Sequence, residues 1–312
     1  MSDVKPVIPV IDFEKLSLSK GDDSILRGDL EEIGGQIKEA FQTIGFCYLK
    51  NHGTDGDLIE NYFKVSRDFF CTSPDEKAKF ARSNDCNFGW VALERERINP
   101  ERPGDLKEAF NYQPGINPDT WPSSEFKTLS QDFYASCKTL SLRICDALSV
   151  GLGLDEKYFR DAHKFIGVDG NPTTLRTLYY PPLPEVSSIK PGQIRLGEHS
   201  DYGTITMLFQ DEIGGLEVEE KGTGFVPATP IPGTVILNIG DLMQRWTSDF
   251  LVATKHRVCI PEVEFKRKSS RQSVAFFVHP DDEYVIKCLD GSNKYEPISS
   301  IDYLNYRFSV TF

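Results

Sequence analysis

Apolar residues recur along this chain in two rhythms, and the change from one to the other divides it. In the first half the spacing is helical. Leu30, Ile33, Ile37 and Phe41 share one face and predict a helix over roughly 25–43. Gly45 closes it, Phe46 to Leu49 reads as a strand, and Asn51-His-Gly53 as the turn after it. An opening strand is expected over Ile8 to Phe13 and a second helix over Leu58 to Phe70. Leu129, Phe133, Leu140, Ile144 and Leu148 stripe a long helix from about Phe126 to Val150, ended by Gly151-Leu-Gly153. Between these helices, Asn84 to Trp121 carries charge, Pro, Gly and Asn without a steady period. It predicts long loops, with room for a hairpin, of the kind that serve as lids or binding segments.

From Leu175 the rhythm becomes that of short strands between Gly, Pro and Asp turns. The clearest runs are 175–180, 204–209, 215–218, 234–239, 257–260 and 273–278. Short strands at regular spacing predict a sandwich or barrel of the jelly-roll type. The fold class expected is therefore α+β with a mainly β core. A mixed α/β region over 1–125 would lead into a long helix and jelly roll over 126–312, the two forming one continuous unit.

Composition changes this picture only at the margins. With 39% hydrophobic and 12% aromatic residues, the 312-residue chain can bury a large core. A formal charge of -12 and the lack of a basic stripe argue against a nucleic-acid partner. Met1 to Phe13 has no apolar run long enough for a leader or a membrane span, so a cytoplasmic location without a membrane partner is expected. The seven cysteines are odd in number, scattered and free of any Cys-x-x-Cys, as expected of reduced thiols.

The chemistry lies in the β-rich half. His199-Ser-Asp201 places an imidazole and a carboxylate two residues apart, which in a strand would put both on one face. His256 opens another β run, and the chain holds only five histidines. Two imidazoles and a carboxylate on one face of an octahedral metal suit non-haem Fe(II) that must also bind a co-substrate and O2. Singly, His199 reads as well as a strand-end histidine bonded to Asp201, and His256 as a surface residue. Arg271 strengthens the set, because its planar fork can grip a carboxylate bidentately and Ser273 follows on the same strand face. An Arg and a hydroxyl there would hold the far carboxylate of 2-oxoglutarate, and together these parts suggest an oxygenase. Arg271 also ends the basic patch Lys266 to Arg271, where a solvated charge is the plain alternative. Tyr180 reads equally as a phenolic donor to that carboxylate or as a packed aromatic.

At the level of whole strings the chain resembles the isopenicillin N synthase-like branch of Fe(II)/2-oxoglutarate-dependent dioxygenases. Pro9 to Phe13 and Gly45 to Gly53 are similar to the N-terminal region of that family. Leu175 to Pro182, Gly197 to Gly203, Gly214 to Val218, Asn238 to Asp241, Trp246-Thr247, His256 to Val258 and Arg271 to Ser273 are similar to its core. The resemblance implies a double-stranded β-helix flanked by helices, with His199, Asp201 and His256 on iron and Arg271, Ser273 and Tyr180 on 2-oxoglutarate. It implies Fe(II), 2-oxoglutarate and O2 as cofactors and co-substrates, with ascorbate as an optional reductant, and conversion of 2-oxoglutarate to succinate and CO2. Plant members often carry Asn where Leu178 stands, and Ala253 replaces a common Ser. Oxidation without 2-oxoglutarate, by cyclisation or desaturation, and ligand binding without catalysis are the alternatives within the same fold.

The substrate side is less determined. Arg176 shares a strand face with Tyr180, and either a substrate carboxylate or carbonyl, or a structural salt bridge, would satisfy it. Phe277 and His279 continue the alternating face of Arg271 and are expected to line the same pocket, with core packing and turn capping as their alternatives. Leu178, Asn87 and the charged run Glu94 to Arg97 complete the candidates, while Trp90 and Phe110 read as lid or as packing. The expected substrate is a small molecule with a carboxylate or carbonyl group. The expected oligomeric state is a monomer or weak homodimer.

Overall fold

Strand residues alternate between two interiors here, and that alternation builds the molecule. The computed structural model describes residues 7–83, 86–115, 120–183, 185, 187 and 189–311. Its strands are β1 (Val10–Asp12), β2 (Phe46–Lys50), β3 (Gly89–Val91), β4 (Glu108–Tyr112), β5 (Thr174–Tyr180), β6 (Leu196–His199) and β7 (Ile205–Gln210). They continue with β8 (Leu216–Glu220), β9 (Gly224–Pro227), β10 (Thr234–Ile239), β11 (His256–Val258), β12 (Arg271–Val278), β13 (Val285–Ile286) and β14 (Ile298–Ser299). The helices are α1 (Arg27–Thr43), α2 (Gly56–Phe70), α3 (Pro74–Ala78), α4 (Ser124–Gly151), α5 (Tyr158–Asp161), α6 (Asp241–Trp246), α7 (Glu264–Lys268) and α8 (Ser300–Thr311).

An eight-stranded sheet runs in the order β1-β2-β10-β7-β12-β5-β4-β3, and a four-stranded sheet in the order β6-β11-β8-β9. On the large sheet Leu175, Tyr179, Met207, Leu237, Val274 and Phe276 point into a core shared with the helices. Their neighbours Leu178, Tyr180, Ile236 and Ala275 point the other way, into a second core shared with Leu216, Val218 and Val258 of the small sheet. Both faces of the large sheet are thus buried, which is why β12 is buried at nearly every position. This is the expected jelly roll flanked by helices.

The N-terminal region is not a separate layer, since β1 to β4 extend the large sheet at both of its edges. β3 and β4 are the hairpin within the expected loop stretch; residues 84, 85 and 116–119 of that stretch lie outside the described residues. Helix α4 is capped by Ser123, whose hydroxyl accepts from the Phe126 amide at 3.0 Å. It crosses α1 closely. A Cβ on Gly34 would lie 1.9 Å from the Ala147 carbonyl oxygen, and one on Gly151 would lie 2.5 Å from Gly34. Among the described residues no helix is long and apolar enough to cross a membrane.

Candidate active site

The two imidazoles meet because β6 and β11 pair antiparallel with His199 opposite His256. Their rings lie 4.3 Å apart between centroids. His199 Nδ1 is 2.8 Å from the Gly197 carbonyl oxygen and His256 Nδ1 is 3.2 Å from that of Thr254. Each Nδ1–H is therefore engaged by backbone, and each Nε2 lone pair faces the site. Both Nε2 atoms stand 3.7 Å from Asp201 Oδ1, and the three side chains have ligand atoms within 4.8 Å of one another.

Asp201 reaches this position differently from the sequence reading. β6 ends at His199, so Asp201 belongs to the following loop and not to a shared strand face. Tertiary contacts replace strand geometry. Asn238 Nδ2 donates to Asp201 Oδ2 at 2.7 Å, and the Asp241 amide donates to the Asp201 carbonyl at 2.7 Å. Gly240 lies directly beneath: a Cβ there would be 2.9 Å from the Asp201 carbonyl oxygen and 2.5 Å from that of Gly203. What reads as a simple strand-end turn is thus a support for the ligand loop. Asn238 was not among the sequence candidates, although it lies in the matched string Asn238 to Asp241.

Burial, and then the neighbouring His256, push the His199 pKa down to about 4, which leaves the imidazole a neutral donor at neutral pH. Burial works to raise the Asp201 carboxyl, but His256, His199 and the bond from Asn238 outweigh it and hold the group ionised. Two imidazoles and one carboxylate, with the remaining directions open to the cavity, fit Fe(II).

Arg271 stands opposite Tyr180 in the β12–β5 ladder, and Ser273 opposite Leu178. It is fully buried, which excludes the solvated-charge alternative. Its Nη1 donates to Ser273 Oγ at 3.1 Å and its Nη2 to Gln210 Oε1 at 3.2 Å; the guanidinium lies 4.8 Å over the Tyr180 ring. Every one of these partners is neutral, and among the described residues Nε has none. A buried guanidinium held by neutral groups suits an incoming carboxylate. A narrow cavity of about 50 Å³ touches Arg271, Ser273, Tyr180 and the three ligand residues, so the parts expected for iron and for 2-oxoglutarate share one space.

A second cavity of about 700 Å³ opens on His199 and Asp201 and includes all five substrate candidates: Arg176, Phe277, His279, Asn87 and Leu178. Arg176 does not stand free there. It is ion-paired with Glu96, which also binds Lys107 at 2.8 Å. The structural salt bridge is therefore the reading realised for this guanidinium. Burial works to raise the Glu96 carboxyl, but Arg176 and Lys107 outweigh it and hold it far below the usual carboxylate range. Asn87 Nδ2 donates to Thr174 Oγ1 at 2.9 Å and Asn111 Nδ2 to Asn87 Oδ1 at 2.7 Å, so Asn87 belongs to an amide cluster. Among the described residues, Asn111 Oδ1, Arg82 Nε and His279 Nδ1 are buried without hydrogen-bond partners. Phe277, Leu178 and Leu196 form the apolar wall, and Ile301, Leu304 and Phe308 bring α8 onto the cavity. Trp90 and Phe110 are packing residues. Trp90 Nε1 bonds Glu108 at 2.7 Å, and Phe110 is buried against Phe69, Phe88 and Phe126.

Glu96, within the expected run Glu94 to Arg97, is on the wall; the sequence missed Asn111 and α8, because long-range pairing and a C-terminal helix of weak period bring them there. Comparisons with known proteins agree with the geometry. Residues 172–280 match the family described as the 2OG-Fe(II) oxygenase superfamily, and residues 8–129 match the non-haem dioxygenase N-terminal region named for morphine synthesis. The chain is 34% identical over 278 residues to the 2-oxoglutarate-dependent dioxygenase htyE of Aspergillus rugulosus, covering 80% of this chain and 82% of that protein. It is 30% identical to the 2-oxoglutarate-Fe(II) type oxidoreductase ppzD of Metarhizium rileyi, covering 89% and 85%. A full-length Neurospora crassa protein, crystallised in complex with alpha-KG and thymine, superposes with a TM-score of 0.84 at 35% identity, covering 100% of this chain and 99% of that one.

Proposed function

The chain belongs to the 2OG-Fe(II) oxygenase superfamily and is a 2-oxoglutarate-dependent dioxygenase acting on a small molecule, and we propose that its substrate is neutral, compact and rich in carbonyl or amide groups. The observation that carries this reading is the wall of the 700 Å³ cavity. Arg176 already has Glu96 as its anion, so a substrate carboxylate would compete with a resident one, whereas a carbonyl can accept a bond from the paired guanidinium. Asn87, Asn111 and Gln113 offer amide groups of both polarities, and Phe277 a flat apolar surface. The thymine held by the Neurospora crassa relative is a molecule of this kind.

His199, Asp201 and His256 would hold the iron, which with 2-oxoglutarate and O2 would supply the oxidising power, coupled to conversion of 2-oxoglutarate to succinate and CO2. The protein's own part is placement. Asn238 and the Gly240 turn hold Asp201, the two backbone carbonyls orient the imidazoles, and Arg271 with Ser273 and Tyr180 receives the distal carboxylate. α8 and the amide wall hold the substrate beside the ligands and exclude water from the reacting centre.

Succinate release from the Fe(II)-loaded enzyme, with O2 and 2-oxoglutarate present, tests the reading against two panels of small molecules. Neutral pyrimidines, lactams and cyclic imides should stimulate release, and His256→Ala should abolish it. Stimulation confined to carboxylate-bearing compounds would overturn the neutral-substrate proposal while leaving the dioxygenase assignment in place. A requirement for added 2-oxoglutarate separates the enzyme from a 2-oxoglutarate-independent oxidase or a non-catalytic binder of the same fold.

A further inference from the structure

Arg195 is among the largest fully buried side chains of the molecule, together with Arg271. It immediately precedes β6, and Leu196 beside it lines both cavities, whereas Arg195 lines neither. Its guanidinium lies 6.0 Å from the Tyr180 ring centre, the same ring that Arg271 covers at 4.8 Å. Its hydrogen bond to the Ser269 carbonyl, 3.2 Å long, uses Nη2; among the described residues Nε and Nη1 have no partner. A buried guanidinium with two unsatisfied nitrogens is costly unless its charge is used.

The charges around it do not cancel. Arg195 and Arg271 repel one another, and the carboxylate that acts on both is Asp211. Asp211 is itself held by backbone, accepting from the Gln272 amide at 2.5 Å and the Ile213 amide at 3.0 Å. Two buried cations against one carboxylate leave a net positive charge on the Arg271 side of the narrow cavity.

We infer that Arg195 is a positioning residue of the co-substrate site, which acts through the Tyr180 ring and through its own charge to make that end of the cavity select a dianionic 2-oxo acid. The inference rests on the assignment of 2-oxoglutarate as co-substrate. Arg271 makes the direct contact with the distal carboxylate; Arg195 faces the same Tyr180 ring and supplies the second positive charge that the carboxylate neutralises. In a poorly screened interior a charge one side chain removed still counts.

The test compares two keto acids on the anaerobic Fe(II)-loaded protein: 2-oxoglutarate, and 2-oxopentanoate, in which a methyl stands where the distal carboxylate would be. Equilibrium Kd values are measured for the wild type, Arg195→Met and Arg195→Lys, with Tm recorded for each. Arg195→Met should raise the Kd of 2-oxoglutarate on the order of tenfold and leave that of 2-oxopentanoate within about twofold. Arg195→Lys should restore most of the preference. If the Met variant folds and keeps the wild-type ratio of the two Kd values, or weakens both acids alike, Arg195 is a packing residue and the inference fails. Should the Met variant not fold, a Gln variant with an unchanged ratio overturns it equally. If the wild type itself shows no preference between the acids, the co-substrate assignment fails with it.

Discussion

At the scale of single residues, the candidate iron site depends on groups that never touch a metal. Asn238 donates to the Asp201 oxygen on the side away from the histidines, which fixes the carboxylate's rotation and leaves Oδ1 for the ligand position. Loss of such an outer partner typically costs 10–100-fold in metal affinity. Asn238→Ala should therefore weaken Fe(II) binding by about that factor with the fold intact, as measured by anaerobic titration beside a circular dichroism spectrum. Unchanged affinity would mean that the Asp241 amide and the Gly240 turn hold Asp201 unaided. The candidate ligands at this scale were legible in the sequence, because few residue types bind iron and the chain has five histidines. Their supports were not, since Asn238 lies 37 residues from Asp201 and no local pattern ties the two together.

At the scale of elements, close packing sets the positions of the helices that carry the sheet. The α1–α4 crossing has no space for a side chain at Gly34, where a Cβ would meet the Ala147 carbonyl at 1.9 Å. Gly34→Val should lower stability by about 1–3 kcal/mol or more, the usual cost of overpacking, read as a lower urea midpoint. An unshifted midpoint would show that the two helices slide apart freely. Helix α8 is a different case. Its cavity-facing residues include Ile301 and Leu304, while Tyr306 and Val310 stay exposed, so it behaves as a cover and not as a core helix. Arg307 ties it down, ion-paired with Asp241 and lying 4.3 Å over the Tyr202 ring. Leu304→Trp should fill part of the substrate cavity and raise KM for the substrate several-fold, while the Kd of 2-oxoglutarate stays put. A parallel loss of 2-oxoglutarate affinity would place α8 closer to the co-substrate than its position indicates.

At the scale of the whole molecule, the buried histidines outside the ligand set link stability to pH; burial lowers the pKa of His52, and that of His163 and His279 further. His163 has Nδ1 2.6 Å from the Phe159 carbonyl oxygen and Nε2 2.9 Å from Thr204 Oγ1, and burial pushes its pKa down to about 4. His279 is pushed down to about 4 by burial and then by His163. In the unfolded chain both titrate near 6.5. The fold favours the neutral rings, so their contribution is intact above about pH 6.5. It is lost as pH falls toward 4, because only the unfolded chain takes up the protons. Each ring accounts for up to about 1.4 kcal/mol per pH unit in that window. Urea unfolding between pH 7.5 and 4 should show this slope, and His163→Asn should be less stable at pH 7.5 yet flatter below 6.5. A variant as steep as the wild type would assign the acid sensitivity to other groups.

The sequence by itself determined the main helices and most strands of the core, the jelly-roll class and the set of side chains that the fold gathers around one metal-sized space and one buried guanidinium. Period, turn chemistry and ligand type are local properties that survive without coordinates. Asn87, Leu178, Phe277 and His279 also line the 700 Å³ cavity, the last two as strand alternation alone implies. Only the tertiary structure decided what is made by pairing distant segments. It took Asp201 off the strand and seated it on Asn238 and Gly240. It gave Arg176 to Glu96, eighty residues earlier. It laid α8 over the cavity and set Arg195 beside Tyr180. Those contacts depend on sheet register and on which buried charges find partners, and neither is written in any single stretch of the chain.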